Sequence, residues 1–285
     1  MRIILLGNGR RDGVLETAGL LRPEIERHGE VVAADFYGQE NIAQLQADVV
    51  IVFGGDGSIL RAVNQMGQNQ IPVIAVHLGT ISFLSTVRSN ELVPLLSRSD
   101  LLQLPVIEHL LLDCKLFRQG SKKSTTSSTV LNEVLVQGET VSRIISLGLY
   151  VDGDLVTTYR CDGLIVSTPV GSTAHSLSAG GPILRNDIDA VVISPISPHT
   201  LSNRPLVDSP DRLFEIRPCQ KGILVLDGVE LARVEPNDFI QVSRAPYTFK
   251  TIDAPGNNYY KTLRNKLGWS GQLNSDFGTR NADVF

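Results

Sequence analysis

The 285-residue chain is poor in cysteine, methionine and tryptophan, with 3, 2 and 1 copies. Cys114, Cys161 and Cys219 are scattered, so any disulfide pairing leaves one over, and their spacing matches neither a zinc site nor a redox pair. A reducing, cytoplasmic setting is the expectation. The five histidines are equally dispersed, and no His/Cys/carboxylate cluster signals a bound metal. Positive charge is not in surplus: 26 Lys and Arg stand against 30 Asp and Glu, a net charge of −4. That balance argues against a nucleic-acid binder, which needs a cationic face. No apolar run approaches the roughly 18 residues of a membrane span, so no membrane partner is expected. The opening run Ile3-Ile4-Leu5-Leu6 is too short for a signal-peptide core and reads as a first buried strand.

What is present is a real core. Apolar residues make up 42% of the chain, enough to exclude wholesale disorder. The first hundred residues alternate strand and helix signals. Arg2–Leu6 ends in Gly7-Asn8-Gly9. Leu15–His28 carries helical apolar spacing and stops at Gly29, and Asp48–Phe53 is a continuous apolar run ending in Gly54-Gly55. Ile59–Met66 reads as the next helix and Val73–Val76 as the next strand. Continuous apolar strands joined by helices predict a parallel sheet.

Near residue 100 the pattern changes to short strand-like runs. These are 110–117, 130–136, 144–151, 155–159, 163–167, 191–194, 213–216, 223–226 and 239–242, with a hairpin signal at Asp152-Gly153. The expectation is an α/β domain over 1–100 and a β-rich, sandwich-like domain over 101–258. Ser121–Thr129 reads as a polar loop. Tyr259–Leu267 returns to helical character before Gly268, and Trp269 reads as a packing anchor.

Two segments carry chemistry. Gly54-Gly55-Asp56-Gly57 follows the strongest strand and opens a helix. Ligands of open α/β sheets bind at such carboxyl ends, and glycines let a phosphate reach the backbone amides. A carboxylate beside phosphate is unfavourable unless it binds a metal or removes a proton. The same four residues also fit an ordinary turn with Asp56 as helix cap. Arg61 lies one helical turn beyond Gly57, placed to meet phosphate or simply solvent. The run 162–182 is dense in small hydroxylated residues and glycines, suited to cradling a nucleotide or to forming a long loop.

Asp48–Leu60, Leu131-Asn132-Glu133-Val134, Asp162–Leu184, 198–206 and the helix 260–269 together resemble the NAD kinase family, in order and over most of the chain. The resemblance implies transfer of the ATP γ-phosphoryl to the 2′-hydroxyl of the adenosine ribose of NAD, giving NADP. It implies that Asp56 is the general base and that Gly57 lies against the same ligand. Asn132 and Glu133 would hold adenine and ribose hydroxyls. Arg143, Arg160 and Asp162 would contact the dinucleotide, and Thr173, Ala174, His175, Ser176, Leu177 and Ser178 would wrap it. A divalent cation, Mg²⁺ above others, would ride on the phosphates. The implied assembly is a homodimer or homotetramer in which neighbours complete the NAD site, with the helix from 259 onward packing back on the first domain.

The chain departs from the family at three places. Thr173-Ala174-His175-Ser176 has histidine where tyrosine is usual. Asp227-Gly228-Val229 has valine in place of an amide, which puts one dinucleotide contact in doubt. Gly79-Thr80-Ile81-Ser82-Phe83 has serine for glycine. A lipid kinase sharing the GGDG element and a non-catalytic dinucleotide sensor are the rival readings. The 162–184 block argues against the first, and a retained Asp56 argues against the second.

Overall fold

The computed structural model describes residues 1–79, 83–84, 87–140, 144–199 and 204–269. The first unit comprises β1 (Arg2–Gly7), α1 (Val14–His28), β2 (Glu30–Asp35), β3 (Val49–Phe53), α2 (Asp56–Met66), β4 (Val73–His77), β5 (Val87–Arg88), α3 (Ser89–Leu96) and β6 (Val106–His109). Strands run parallel in the order β2-β1-β3-β4. Side chains alternate along them. Ile3, Leu5, Ile51 and Phe53 face α1 and α3, whereas Ile4, Leu6, Val50 and Val52 face α2. Ile59, Ala62, Val63 and Met66 of α2 sit at i, i+3, i+4 and i+7 and are all buried, so one stripe of the helix is spent on that second face.

The β-rich unit is a sandwich. Its strands are β7 (Leu112–Phe117), β8 (Thr126–Val130), β9 (Glu133–Gly138), β10 (Ile145–Val151), β11 (Asp154–Cys161), β12 (Gly163–Ser167), β13 (Val191–Ile196), β14 (Leu206–Asp208), β15 (Phe214–Pro218), β16 (Gly222–Leu226), β17 (Val229–Val234) and β18 (Phe239–Arg244). One sheet runs β11-β10-β15-β18-β7-β8 and the other β14-β13-β12-β9-β16-β17, all antiparallel. Their inner faces meet through Leu112, Cys114, Val134, Val136, Leu147, Leu164, Val166 and Ile216. Asp152 and Gly153 have φ of 51° and 91°, the two positive values that a tight hairpin turn of the expected kind requires.

Three expectations differ from the structure. The units are not contiguous halves divided near 100. The chain finishes the first sheet last, with β19 (Phe249–Ile252) parallel to β4 and antiparallel to β6. Periodicity identifies strands but not their partners, and β6 and β19 joined the wrong unit for that reason. Half of the polar stretch 121–129 is β8, paired along β7; an edge strand tolerates Ser and Thr on its open side. Trp269 is 58% exposed among the described residues and is no packing anchor there, because Gly268 turns the chain out at φ 64° as it leaves α5 (Tyr259–Leu267). That helix meets the sandwich through the Tyr259 hydroxyl, which donates to the Leu184 carbonyl at 3.3 Å. Its Asn265 and Lys266 share a depression with His77 and Arg88 at the carboxyl end of the first sheet.

Phe249 anchors the returning strand and is fully buried against the α2 face. We expect Phe249→Ala to lower the unfolding free energy by about 3–5 kcal/mol. Urea denaturation checks this, read as a lower midpoint with an unchanged slope.

Candidate functional site

The first sheet reverses its strand order at β1/β3, and Gly7 at the end of β1 pairs with Phe53 at the end of β3. A ligand crevice is expected outside the carboxyl ends of the strands at such a switch point. The two glycine turns, Gly7-Asn8-Gly9 and Gly54-Gly55, therefore lie side by side. Gly54 has φ 132°, and a β-carbon there would strike the Ser58 side chain. Only glycine makes that turn, and it brings the chain round to start α2 at Asp56. The Ser58 and Ile59 amides turn back to the Gly55 carbonyl at 2.9 and 3.3 Å, which leaves the Asp56 and Gly57 amides as the helix's first N–H groups without an acceptor one turn back.

A cavity of about 1170 Å³ opens there, between the two units. Asn8, Arg11, Gly54, Gly55, Gly57 and Arg61 line one side, and Val130, Leu226, Asp227, Val229 and Leu231 line the other. Its volume lies just above the roughly 300–1,000 Å³ usual for a single small-molecule site, and Asp56, Asn132 and Glu133 adjoin its lining residues without being among them. Asp56 is half-buried between Gly55 and Gly57, and its Oδ1 accepts a long 3.4 Å bond from the Leu84 amide.

The Asn132-Glu133 corner sits directly behind Val130 and Asp227. The Asp227 carboxylate accepts from the backbone N–H groups of Leu131 (2.9 Å), Asn132 (2.8 Å) and Glu133 (3.0 Å). The Asp227 amide returns a bond to the Glu133 carbonyl at 3.1 Å. Asp227 thus fixes the corner, a role that sequence reasoning missed. The available signal was its Asp-Gly turn, with φ of 47° and 80° at Asp227 and Gly228. Leu131, next in the corner, packs with Val170 into the same apolar cluster as Ile59, Ala62 and Val63 of α2. The helix that begins at Asp56 is thereby docked against the corner.

The 162–182 run behaves differently from a plain cradle of free hydroxyls. Thr168 Oγ1 donates to the Leu131 carbonyl at 2.5 Å and accepts from the Gly171 amide at 3.0 Å. Ser172 Oγ donates to the Pro169 carbonyl at 2.6 Å, and Thr173 Oγ1 donates to the Val170 carbonyl at 2.8 Å. Ser176 is fully buried, with its hydroxyl on that of Ser194 at 2.9 Å. Most hydroxyls in this run are spent holding the loop itself, because buried polar groups must find partners. Gly171 presses against the Asn132 backbone where no β-carbon fits, tying the loop to the corner. In α4 (His175–Ser178), His175 and Ser178 face solvent, with Ala174 and Leu177 half-buried.

The remaining expected contacts divide. Arg143 and residues 80–82 lie outside the described residues. Arg160 and Asp162 do not join the corner. They flank the start of β12, where Gly163 pairs with Gln137, whereas Ser167 at the other end pairs with Glu133. Five strand positions, about 16 Å, lie between Asp162 and Ser167, the partner of Glu133. Among the described residues no group of three His, Cys, Asp or Glu is placed to hold a metal. No helix there is long and apolar enough to cross a membrane.

Glu133 is 6% exposed, and among the described residues its Oε2 has no hydrogen-bond partner. Burial, reinforced by the neighbouring Asp227, raises its pKa from 4.5 to about 7. Between those two values the folded chain keeps a proton that the unfolded chain releases, so Glu133 makes stability fall as pH rises through that window. Glu133→Gln should therefore match the unsubstituted protein near pH 5 and exceed it by about 1–3 kcal/mol near pH 8. Denaturant unfolding at the two pH values measures the gap, and an equal gap at both would remove Glu133 as its source.

Residues 23–99 match the ATP-NAD kinase N-terminal domain and residues 131–254 the ATP-NAD kinase C-terminal domain. The chain is 45% identical over 278 residues to an NAD kinase of Rhodopirellula baltica, spanning 95% of this chain and 88% of that one. It is 36% identical over 253 residues to an NAD kinase of Geotalea daltonii, spanning 88% and 87%. Among solved structures, yeast NADH kinase complexed with NADH superposes with a TM-score of 0.82 at 22% identity, covering 96% of this chain and 89% of that one. An NAD kinase from Archaeoglobus fulgidus in complex with ATP superposes at 0.73 and 24% identity, covering 94% and 98%. These last two likenesses concern the fold.

Proposed function

The chain belongs to the NAD kinase family and phosphorylates NAD with ATP, and on that premise we propose that Asp56 is the base of the transfer. The observation that carries this reading is the carboxylate at the first turn of α2, between two glycines that line the cavity. The acceptor's adenosine ribose lies between Asp56 and the Asn132-Glu133 corner. An Asn side chain pairs with an adenine edge, and a carboxylate accepts from hydroxyls. Gly57 borders the same ligand, Arg61 reaches phosphate, and the 173–178 segment closes over the nucleotide, with His175 and Ser178 as its free side chains. As the bond from the ribose 2′-oxygen to the γ-phosphorus forms, the hydroxyl proton passes to Asp56. The bond from that phosphorus to the β,γ-bridging oxygen breaks, and ADP leaves.

A divalent cation such as Mg²⁺ would come with the donor and neutralise phosphate charge; among the described residues no group of three His, Cys, Asp or Glu is placed to hold it. A cytoplasmic location is supported by three cysteines left free, two of them buried. Assembly is supported by Arg160 and Asp162. They stand at the far end of β12 from the corner, where they suit a neighbour's acceptor in a homodimer or homotetramer.

Asp56→Asn keeps shape and loses basicity. Its turnover should fall by roughly 10²–10⁴-fold with little change in NAD affinity. Turnover within a few-fold of the unsubstituted enzyme would remove Asp56 as the base. The assembly reading is tested by subunit mixing. Asp56→Asn chains co-refolded with Asp162→Ala chains should regain activity that neither has alone, since one site in each mixed pair has an intact Asp56 and an intact Asp162 of the partner subunit. Mixtures no more active than the sum of their parents would place Asp162 in its own chain's site.

A further inference from the structure

Phosphoryl transfer changes the charge of what sits at the Asn132-Glu133 corner. The acceptor brings a ribose diol, two hydroxyls on adjacent carbons that can each donate a hydrogen bond. The product keeps one of them and carries beside it a phosphate monoester with a charge of about −1.5 to −2 at neutral pH. A site that turns over must hold the first and release the second. The corner meets both with carboxyls. Asp227 lines the cavity, and Glu133 lies behind it at the start of β9, 6% exposed.

The two carboxyls are not equivalent. Asp227 gives its oxygens to the amides of Leu131, Asn132 and Glu133. Burial raises its pKa, and those three N–H bonds pull it back down. Glu133 has the spare oxygen, since its Oε2 has no partner among the described residues. It is therefore the member of the pair that takes a proton, and burial beside Asp227 raises its pKa to about 7. The other elements packed here add no charge of their own. Ser167 stands opposite Glu133 on β12 and donates its hydroxyl to the Val192 carbonyl at 3.4 Å. The 168–184 segment covers this face of the sheet through the Ser176–Ser194 bond and the packing of Leu184 with Val192. It contains no Asp, Glu, Lys or Arg, and its one histidine, His175, is exposed. Arg11, Asp12, Arg61 and His77 line the first unit's side of the cavity, next to Asp56.

We propose that Glu133 is a specificity-determining residue that separates substrate from product: as a carboxylate it accepts from the ribose diol of NAD, and it must become a carboxylic acid to lie beside the 2′-phosphate of NADP. This rests on the reading that the corner holds the acceptor's adenosine ribose. Two negative groups crowded together in a low dielectric do not both stay ionised without cost. NAD binding then releases a proton from Glu133 to solvent, and NADP binding takes one up. After transfer, the new phosphate faces Glu133 in the ionised form that favoured NAD, and this repulsion speeds release of the product.

Calorimetric titration of NAD and of NADP without ATP tests this, near pH 7 in two buffers of different ionisation enthalpy. The heat difference between buffers should show protons released with NAD and taken up with NADP. In Glu133→Gln each exchange should shrink by about half a proton, the share of a group titrating near that pH. The glutamine still forms hydrogen bonds but has no charge. It should weaken NAD about three- to tenfold and tighten NADP by a similar factor, whereas a merely structural role would move both ligands the same way. Proton counts that do not differ between the two proteins, or affinities that fall together, overturn the proposal. If NAD alone or both ligands are weakened in that case, the corner keeps its ribose; if neither is affected, the reading of the corner falls as well. These titrations involve no turnover, so they succeed or fail independently of Asp56 as base. Glu133→Gln preserves shape, and an undiminished thermal midpoint confirms its fold.

Discussion

The site depends on one apolar contact between the two units. Leu131 and Val170, buried to 0% and 4% exposure, pack into the cluster formed by Ile59, Ala62 and Val63 of α2. A fully buried aliphatic side chain contributes about 1.5–3 kcal/mol. Here two of them also act as rulers. Leu131 immediately precedes Asn132, and Val170 precedes the Gly171 turn that presses on the Asn132 backbone. On the other side, the buried stripe of α2 begins three residues after Asp56. The Asn132-Glu133 corner, the hydroxyl-rich loop and the candidate base are therefore registered against one another by hydrophobic packing.

Polar groups around this contact are distributed unevenly. Thr168, Ser172 and Ser176 are fully buried; the first two give their hydroxyls to carbonyls and Ser176 shares a bond with the Ser194 hydroxyl. Their satisfaction stiffens a segment whose glycines and small side chains would otherwise let it wander. At the corner the balance is left open. Asp227 is buried but takes three N–H donors, whereas Glu133 beside it is buried with an orphan oxygen and a pKa raised to about 7. A buried carboxyl with an unmet oxygen and a raised pKa is a feature common at ligand sites.

The same contrast appears across the cavity. Its cationic wall is supported from behind by the Asp35 loop, which spends a carboxylate on four donors and holds Gly38 against Arg61. Its opposite wall is a hairpin whose aliphatic residues remain open. Charge on one side and apolar surface on the other make the two walls of the cavity chemically distinct.

Local pattern was enough to read much of this from the amino-acid sequence. The i, i+3, i+4, i+7 stripe of α2, the continuous apolar strands of the first sheet, the Asp152-Gly153 turn and the ordered motifs that resemble the NAD kinase family all depend on near neighbours in the chain. They fixed the class of each unit, the place of Asp56 and the pairing of Asn132 with Glu133. Tertiary structure alone decided what depends on distant partners. β19 crosses back to complete a sheet begun some 240 residues earlier, and Asp227 reaches amides more than 90 positions away. Ser176 is diverted from solvent to Ser194, and Arg160 and Asp162 end at the far end of β12 from Glu133. The physical reason is common to all four. A side chain's type sets which bonds it can form, but which bond it forms is settled by the groups that packing brings within about 3 Å.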